Sequence, residues 1–193
     1  MQDFLRPFAG IIGIAAYLLL IAGIVQSKAR QSFVAFLLWA MLDTIATITI
    51  ILKEGNYWLS LSNALGAAIV AFLLALKKQV SWTWVETTTA ILVIICLNVW
   101  YFAGAKEGII VSSLAMVIAS VPQMLDTYKN PGETPAIVYI IFLAANILSF
   151  IAGKEWTIEE RFYSGCAIFL CAVIVVFSLK NTLKLSRGSH HNI

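Results

Sequence analysis

Charge is what this 193-residue sequence has least of: 12% of its residues are Asp, Glu, Lys or Arg, against 61% hydrophobic. A soluble domain carries about twice that charged fraction, so a soluble enzyme is excluded. Histidine is absent from the interior of the chain, because His190 and His191 both fall in the last four residues. That excludes a histidine-based metal or catalytic site in the body of the protein, and with it most intramembrane metalloproteases and di-iron enzymes. No cofactor is expected. The net charge of +3 is too small and too scattered for a nucleic-acid partner. Cysteine is scarce as well. Cys96, Cys166 and Cys171 lie in apolar stretches and read as small packing groups, not as a disulfide frame or metal cluster.

What is present is long apolar runs. A bilayer core about 30 Å thick needs roughly 20 apolar helical residues. Cutting the sequence at charged and turn-forming clusters gives seven spans, near 8–26, 32–52, 57–76, 82–103, 108–127, 135–153 and 162–179. The expected fold is an all-α membrane bundle with short connections and no second folded domain. The first span follows Arg6 as a signal peptide would, but it lacks a small-residue cleavage site and reads as retained. Seven spans put the two termini on opposite sides. Arg6, Lys53, Lys106, Lys154 and Arg161 would share the N-terminal side, and Lys28, Arg30, Lys77, Lys78, Lys129, Lys180, Lys184 and Arg187 the other. The excess of Lys and Arg marks the cytoplasmic side, so the N-terminus is expected outside and the tail 180–193 inside. Trp58, Trp82 and Trp156 lie near span ends, where interfacial anchoring is their default role.

Spans one to three can be laid over spans five to seven. Ile21-Ala22-Gly23-Ile24-Val25-Gln26 matches Ile118-Ala119-Ser120-Val121-Pro122-Gln123 at an offset of 97. Past a longer second loop the offset becomes 103, which sets Trp39 on Phe142 and Asp43 on Asn146. Two units of one orientation need an odd number of spans between them. The fourth supplies it, giving a first three-helix unit over 8–76, a linker helix over 82–103 and a second unit over 108–179. Parallel repeats of this kind are one route to a transporter with its site near the midplane.

Asp43 falls at the centre of span two. A carboxylate there costs roughly 2.5–3.5 kcal/mol on insertion scales, so it faces the bundle interior or is protonated. This makes it a candidate proton carrier; the plainer reading is a bond to a neighbouring helix. Trp39, four residues earlier, shares its helix face, and Phe142 with Asn146 repeats that aromatic-plus-polar spacing. Facing units would bring two aromatic walls and two polar groups to one cavity, a lining that suits sugars, nucleosides or amphipathic molecules. The alternative is ordinary packing, with Asn146 as helix–helix glue. Glu86, one turn inside span four, reads as a proton-coupling candidate or as a solvated end residue paired with Lys77 or Lys78. Asn98 reads as packing glue. Pro122 removes a helix hydrogen bond near the cytoplasmic end of span five, and Gln26 and Gln123 are placed to bond backbone that such a hinge opens.

Val121-Pro122-Gln123, followed by a polar loop with Lys129, Asn130, Pro131 and Thr134-Pro135, resembles the PQ-loop motif. That motif marks the superfamily of SWEET sugar transporters, cystinosin-like transporters and their bacterial relatives, and the resemblance runs from about residue 8 to 180. It implies a 3+1+3 bundle whose motif prolines hinge the two units; in the first copy Val25 replaces the proline and only Gln26 remains. It also implies a substrate site with a Trp on spans two and six and an Asn on spans three and seven. Asn63 fits on span three, while its counterpart at an offset of 103 is Cys166. Asp43 and Asn146 then take the positions of the family's tryptophans, which favours a cationic solute or proton coupling over a sugar. Cystinosin-like carriers place a proton-coupling acid in the loop region where Asp126 falls.

The expectation is therefore a transporter, not an enzyme, that moves a small polar solute by alternating access. With no nucleotide-binding loop, its energy would come from a gradient, through protons on Asp43 or Asp126, or transport would run downhill. Its partners would be a small-molecule substrate and the lipid bilayer of a bacterial inner membrane. A homo-oligomer is compatible with the sequence. The runner-up is a vitamin carrier like the nicotinamide-riboside transporters, with Trp39, Trp84 and Trp100 as stacking surfaces. A receptor of the KDEL-receptor type would want a basic cavity and a rhodopsin a lysine in span seven, and no Lys or Arg lies well inside any span.

Overall fold

The computed structural model describes residues 2–29, 31–78 and 84–180, apart from the side chains at 85, 86, 89, 92 and 96. The described residues are helical, with no strand among them. In chain order the helices are α1 (Gln2–Val25), α2 (Phe33–Leu52), α3 (Trp58–Leu76), α4 (Trp84–Ala103), α5 (Ala105–Ala119), α6 (Val121–Lys129), α7 (Ala136–Ile151) and α8 (Ile158–Ser178). A 3₁₀ turn over Pro131–Glu133 links α6 to α7. Five stretches are long and apolar enough to cross a membrane: α1, α2, α3, the α5–α6 run Ala105–Lys129, and α8. The shorter apolar helices are Val93–Ala103 within α4, and α7. Leu18, Phe72, Ile94, Ile137 and Phe169 point outward from these helices. An apolar belt of that extent fits lipid and would aggregate in water.

Local chemistry sets the helix ends. Ser32 is extended, and its hydroxyl accepts the Ala35 N–H at the start of α2, the usual N-cap device. α1 begins before the expected span because Arg6 is satisfied inside the protein, as described below. The expected fifth span is broken. Pro122 has no N–H for the preceding turn, so α5 ends at Ala119 and α6 restarts at Val121. Ser120 lies between them, its N–H shared by the Met116 and Val117 carbonyls.

α3 packs against both α1 and α2, and α8 against both α7 and the α5–α6 run. Across the middle, α1 packs on α7 and α2 on α5, while α4 lies along α5. Small residues let the backbones approach, as lipid-embedded helices require. The Tyr17 ring of α1 lies so close over Gly66 of α3 that any Cβ there would enter it.

Burial along the helices recurs at fixed spacings. Ala9, Gly10, Gly13, Ala16, Tyr17, Leu20 and Ile24 of α1 are buried. So are Gly108, Ile109, Ser112, Ala115, Met116, Ala119 and Gln123, each 99 residues further on. All the buried residues of α7, namely Val138, Tyr139, Phe142, Ala145, Asn146 and Ser149, lie 103 residues after buried residues of α2. In α8, Glu160, Tyr163, Ser164, Ala167, Leu170, Cys171 and Ile174 lie 100 residues after buried residues of α3.

The expected offset of 103 therefore describes α2 and α7 but not the helices on either side. From the start of α7 to the start of α8 is three residues shorter than from α2 to α3. Tyr163, not Cys166, thus stands opposite Asn63. At the other junction the expected offset of 97 does not match the burial, since Gln26 is exposed and Gln123 fully buried.

Candidate functional site

A cavity of about 40 Å³ lies in the middle of the bundle, and Trp39, Asp43, Asn63, Phe142 and Asn146 all line it. α2 contributes the first two, α3 the third and α7 the last two. Each side chain is buried. Solute pockets usually run to ~300–1,000 Å³, so the cavity as it stands is smaller than a solute pocket.

A hydrogen-bonded chain crosses it. Asn63 Nδ2 donates to the Tyr163 hydroxyl at 2.9 Å, and that hydroxyl donates to Asp43 Oδ1 at 2.9 Å. The carboxylate on α2 is thus held by α8 from the other half of the chain. Asn146 Nδ2 donates to the Phe142 carbonyl at 2.8 Å and reaches Cys171 Sγ at 3.8 Å. The Asn63 and Asn146 Oδ1 atoms are buried with no partner. The aromatic wall is wider than Trp39 and Phe142. Tyr17 packs edge-on to Phe142 at 4.7 Å, Phe36 edge-on to Trp39 at 4.7 Å, and Tyr139 lies 5.9 Å from Phe142.

The break between α5 and α6 touches this site. Trp39 Nε1 donates to Ser120 Oγ at 3.1 Å, and Ser120 Oγ donates to the Met116 carbonyl. One side chain therefore lines the cavity and grips the break between α5 and α6. Next to the break, Gln123 Oε1 accepts the Ser32 N–H at 2.9 Å, and its Nε2 reaches Thr127 Oγ1. The Tyr139 hydroxyl donates to Gln31 Oε1 at 2.6 Å at the same end of the bundle.

The other end is closed by ionic and polar contacts. Arg6 pairs with Glu160, which also accepts the Lys154 N–H, and Lys154 Nζ pairs with Asp3. Asn56 Nδ2 donates to the Ser149 carbonyl and hydroxyl. Gly55 packs so closely on the Glu159 carbonyl that a Cβ would collide with it.

Other residues singled out from the sequence lie elsewhere. Gln26 bonds no opened backbone through its side chain; it is exposed just past α1. Residue 135 takes the place opposite Ser32 at the 103 spacing, and as a proline it has no N–H for a glutamine to accept. Asp126 is half-buried on α6, away from the cavity lining. The side chain of Glu86, like Trp82, Arg30, Cys96 and the tail 181–193, lies outside the described residues. Asn98 is exposed and donates to the Ile94 carbonyl of its own helix, so it glues no neighbour. Cys166 lines a separate apolar cleft of about 610 Å³ between α5 and α8.

Tyr163, Tyr17, Phe36, Tyr139 and Cys171 did not emerge from the sequence. For two of them a signal exists: Phe36 and Tyr139 precede Trp39 and Phe142 by three residues, at the same spacing of 103. Among the described residues no group of three His, Cys, Asp or Glu side chains could hold a metal ion. No family model, curated protein or solved structure matches the chain.

Proposed function

We propose that this chain is an integral membrane transporter for a small polar solute, working by alternating access between two three-helix units. The units are 8–76 and 108–179, joined by the linker helix over 82–103, so that seven spans form a 3+1+3 bundle. One observation carries the reading. Residues from both units line one cavity, and contacts between the units cover it at each end. A carrier needs that layout, because opening one set of contacts at a time exposes the cavity to one side only.

The burial spacings support an internal repeat. Four pairs of cavity residues occupy equivalent positions: Tyr17 with Met116, Phe36 with Tyr139, Trp39 with Phe142, and Asp43 with Asn146. The crossed packing of α1 on α7 and α2 on α5 has the same pseudo-twofold sense. The PQ-loop resemblance gains support from what Pro122 and Gln123 do. The proline breaks the helix, and the glutamine spans to the N-cap residue of α2 in the other unit. Asp43, in the cavity and bonded across the units, is the better-placed carboxylate for proton coupling. Asp126 is not in the cavity. The positive-inside count orients the N-terminus outward in a bacterial inner membrane.

The test needs no knowledge of the solute. In a chain with its three cysteines replaced by serine or alanine, Asn146→Cys is treated with a membrane-impermeant maleimide. Right-side-out and inside-out vesicles are labelled separately. The expected outcome is slow labelling from both sides. A cysteine that reacts from neither side would sink the proposal.

A further inference from the structure

We propose that the central cavity takes a protonated amine, an inference that rests on reading it as a solute site. Among the described residues, Asp43 is the only charged one in the lining, and no Lys or Arg lines the cavity with it. A carboxylate in apolar surroundings needs a countercharge or a proton. The site supplies hydrogen bonds to it through Tyr163, but no positive charge.

The unpartnered atoms point the same way. Asn63 and Asn146, 7% and 2% exposed, each leave a buried Oδ1 without a donor. Their orientations follow from their partners. Turning Asn146 over would set its oxygen against the Phe142 carbonyl, and turning Asn63 over would deprive the Tyr163 oxygen of its donor. Trp39 gives its one N–H to Ser120, and Asn63 and Asn146 each give one of two amide N–H groups, to Tyr163 and to the Phe142 carbonyl. Two unpartnered acceptors and a carboxyl group without a cation beside it therefore share the cavity, and an occupant with N–H donors and a positive charge would satisfy all three.

An ammonium group meets that demand, with three donors and no acceptor. The walls suit it too, since Tyr17, Phe36, Trp39, Tyr139 and Phe142 present aromatic rings, whose faces attract cations. A carboxylate or phosphate solute would meet repulsion from Asp43. A hard metal ion wants about six oxygen ligands, more than this mostly aromatic lining provides. A sugar could fill the acceptors but would leave Asp43 uncompensated.

Calorimetric titration of the purified full chain with benzylammonium, benzyl alcohol and glucose tests this. The first two share a skeleton and differ in the charged donor. Benzylammonium is expected to bind wild type roughly tenfold or more tightly than the alcohol, the usual margin for a charge-assisted hydrogen bond. Asp43→Asn should remove that margin and leave the weak affinity for the alcohol, while Asp43→Glu keeps most of it. If Asp43→Asn fails to fold, the ammonium-to-alcohol ratio in wild type and in Asp43→Glu still decides. Glucose or benzyl alcohol binding as well as benzylammonium, with Asp43→Asn unaffected, would overturn the amine and leave a solute site standing. Binding of none of the three, with position 146 closed to maleimide from both sides, would overturn the solute site itself.

Discussion

The two halves of this bundle, α1–α3 and α5–α8, bury matching positions and fill several of them with different chemistry. Asp43 in the first half faces the cavity where the second half has Asn146. Gln123 is buried and bonds the N-cap residue of α2, whereas Gln26 is exposed. Pro122 breaks the helix of the second half near its end, while α1 runs unbroken to Val25. The burial pattern is thus held in common, and distinct polar chemistry sits on single positions. The carboxylate belongs to one half, and the helix break and its glutamine to the other. In the proposed carrier, such a division supplies one ionisable site and one hinge, instead of two of each.

The largest effect is expected where the halves are bolted together. Arg6→Ala leaves Glu160 buried beside the Lys154 N–H without its cation. Removing one partner of a buried pair costs about 3 kcal/mol or more, so the variant should unfold at clearly lower temperature or SDS concentration than wild type. Replacing Arg6 and Glu160 together by methionine should recover most of that loss. Next comes the cavity. Asp43→Asn makes the two halves alike there and should cut solute uptake into proteoliposomes by roughly a hundredfold, at the upper range for a charged hydrogen bond. The exchange Asp43→Asn with Asn146→Asp restores one carboxylate on the opposite wall, and uptake should partly return. If the exchange stays as inactive as the single variant, the carboxylate is tied to Tyr163 and not merely to the cavity.

Smaller effects sharpen the contrast at the hinge. Gln123→Ala leaves the buried Ser32 N–H unpaired and should cost about 1–3 kcal/mol, whereas Gln26→Ala should stay within ~0.5 kcal/mol, as exposed positions do. Both are read from equilibrium unfolding in detergent. The smallest effect is expected at Cys166. Cys166→Ala should leave uptake at the wild-type rate, because that side chain lines the separate cleft between α5 and α8.

Much of this was legible before the structure. Apolar runs between lysines and turn residues place α2 and α3 to within a residue or two, because the membrane leaves few other ways to satisfy a backbone. Trp39 with Asp43 comes from helical spacing, and Phe142 with Asn146 from the offset of 103 between the halves. Two things were hidden. Arg6 reads as a flank until Glu160, more than 150 residues away in sequence, gives it a buried partner, so the start of α1 was set too late. Tyr163 was missed because the offset between halves slips from 103 to 100 after α7, where the path between helix starts is three residues shorter. A loop length cannot be weighed from one sequence, and a three-residue slip on a helix keeps nearly the same face. Phe36 and Tyr139 carry a signal in the 103 spacing, whereas Tyr17 is indistinguishable from a lipid-facing aromatic until the packing is known.

The central claim is that the two ends of the bundle open in alternation around the cavity. It is tested most directly by pulsed electron–electron resonance on the chain in lipid nanodiscs, with spin labels at exposed pairs, Glu54 with Glu155 at one end and Lys28 with Lys129 at the other. The account predicts a short and a long distance for each pair, with Arg6→Ala lengthening the first and Gln123→Ala the second while the opposite end stays closed. A single unchanging distance at both ends, or both ends lengthening together, would contradict it.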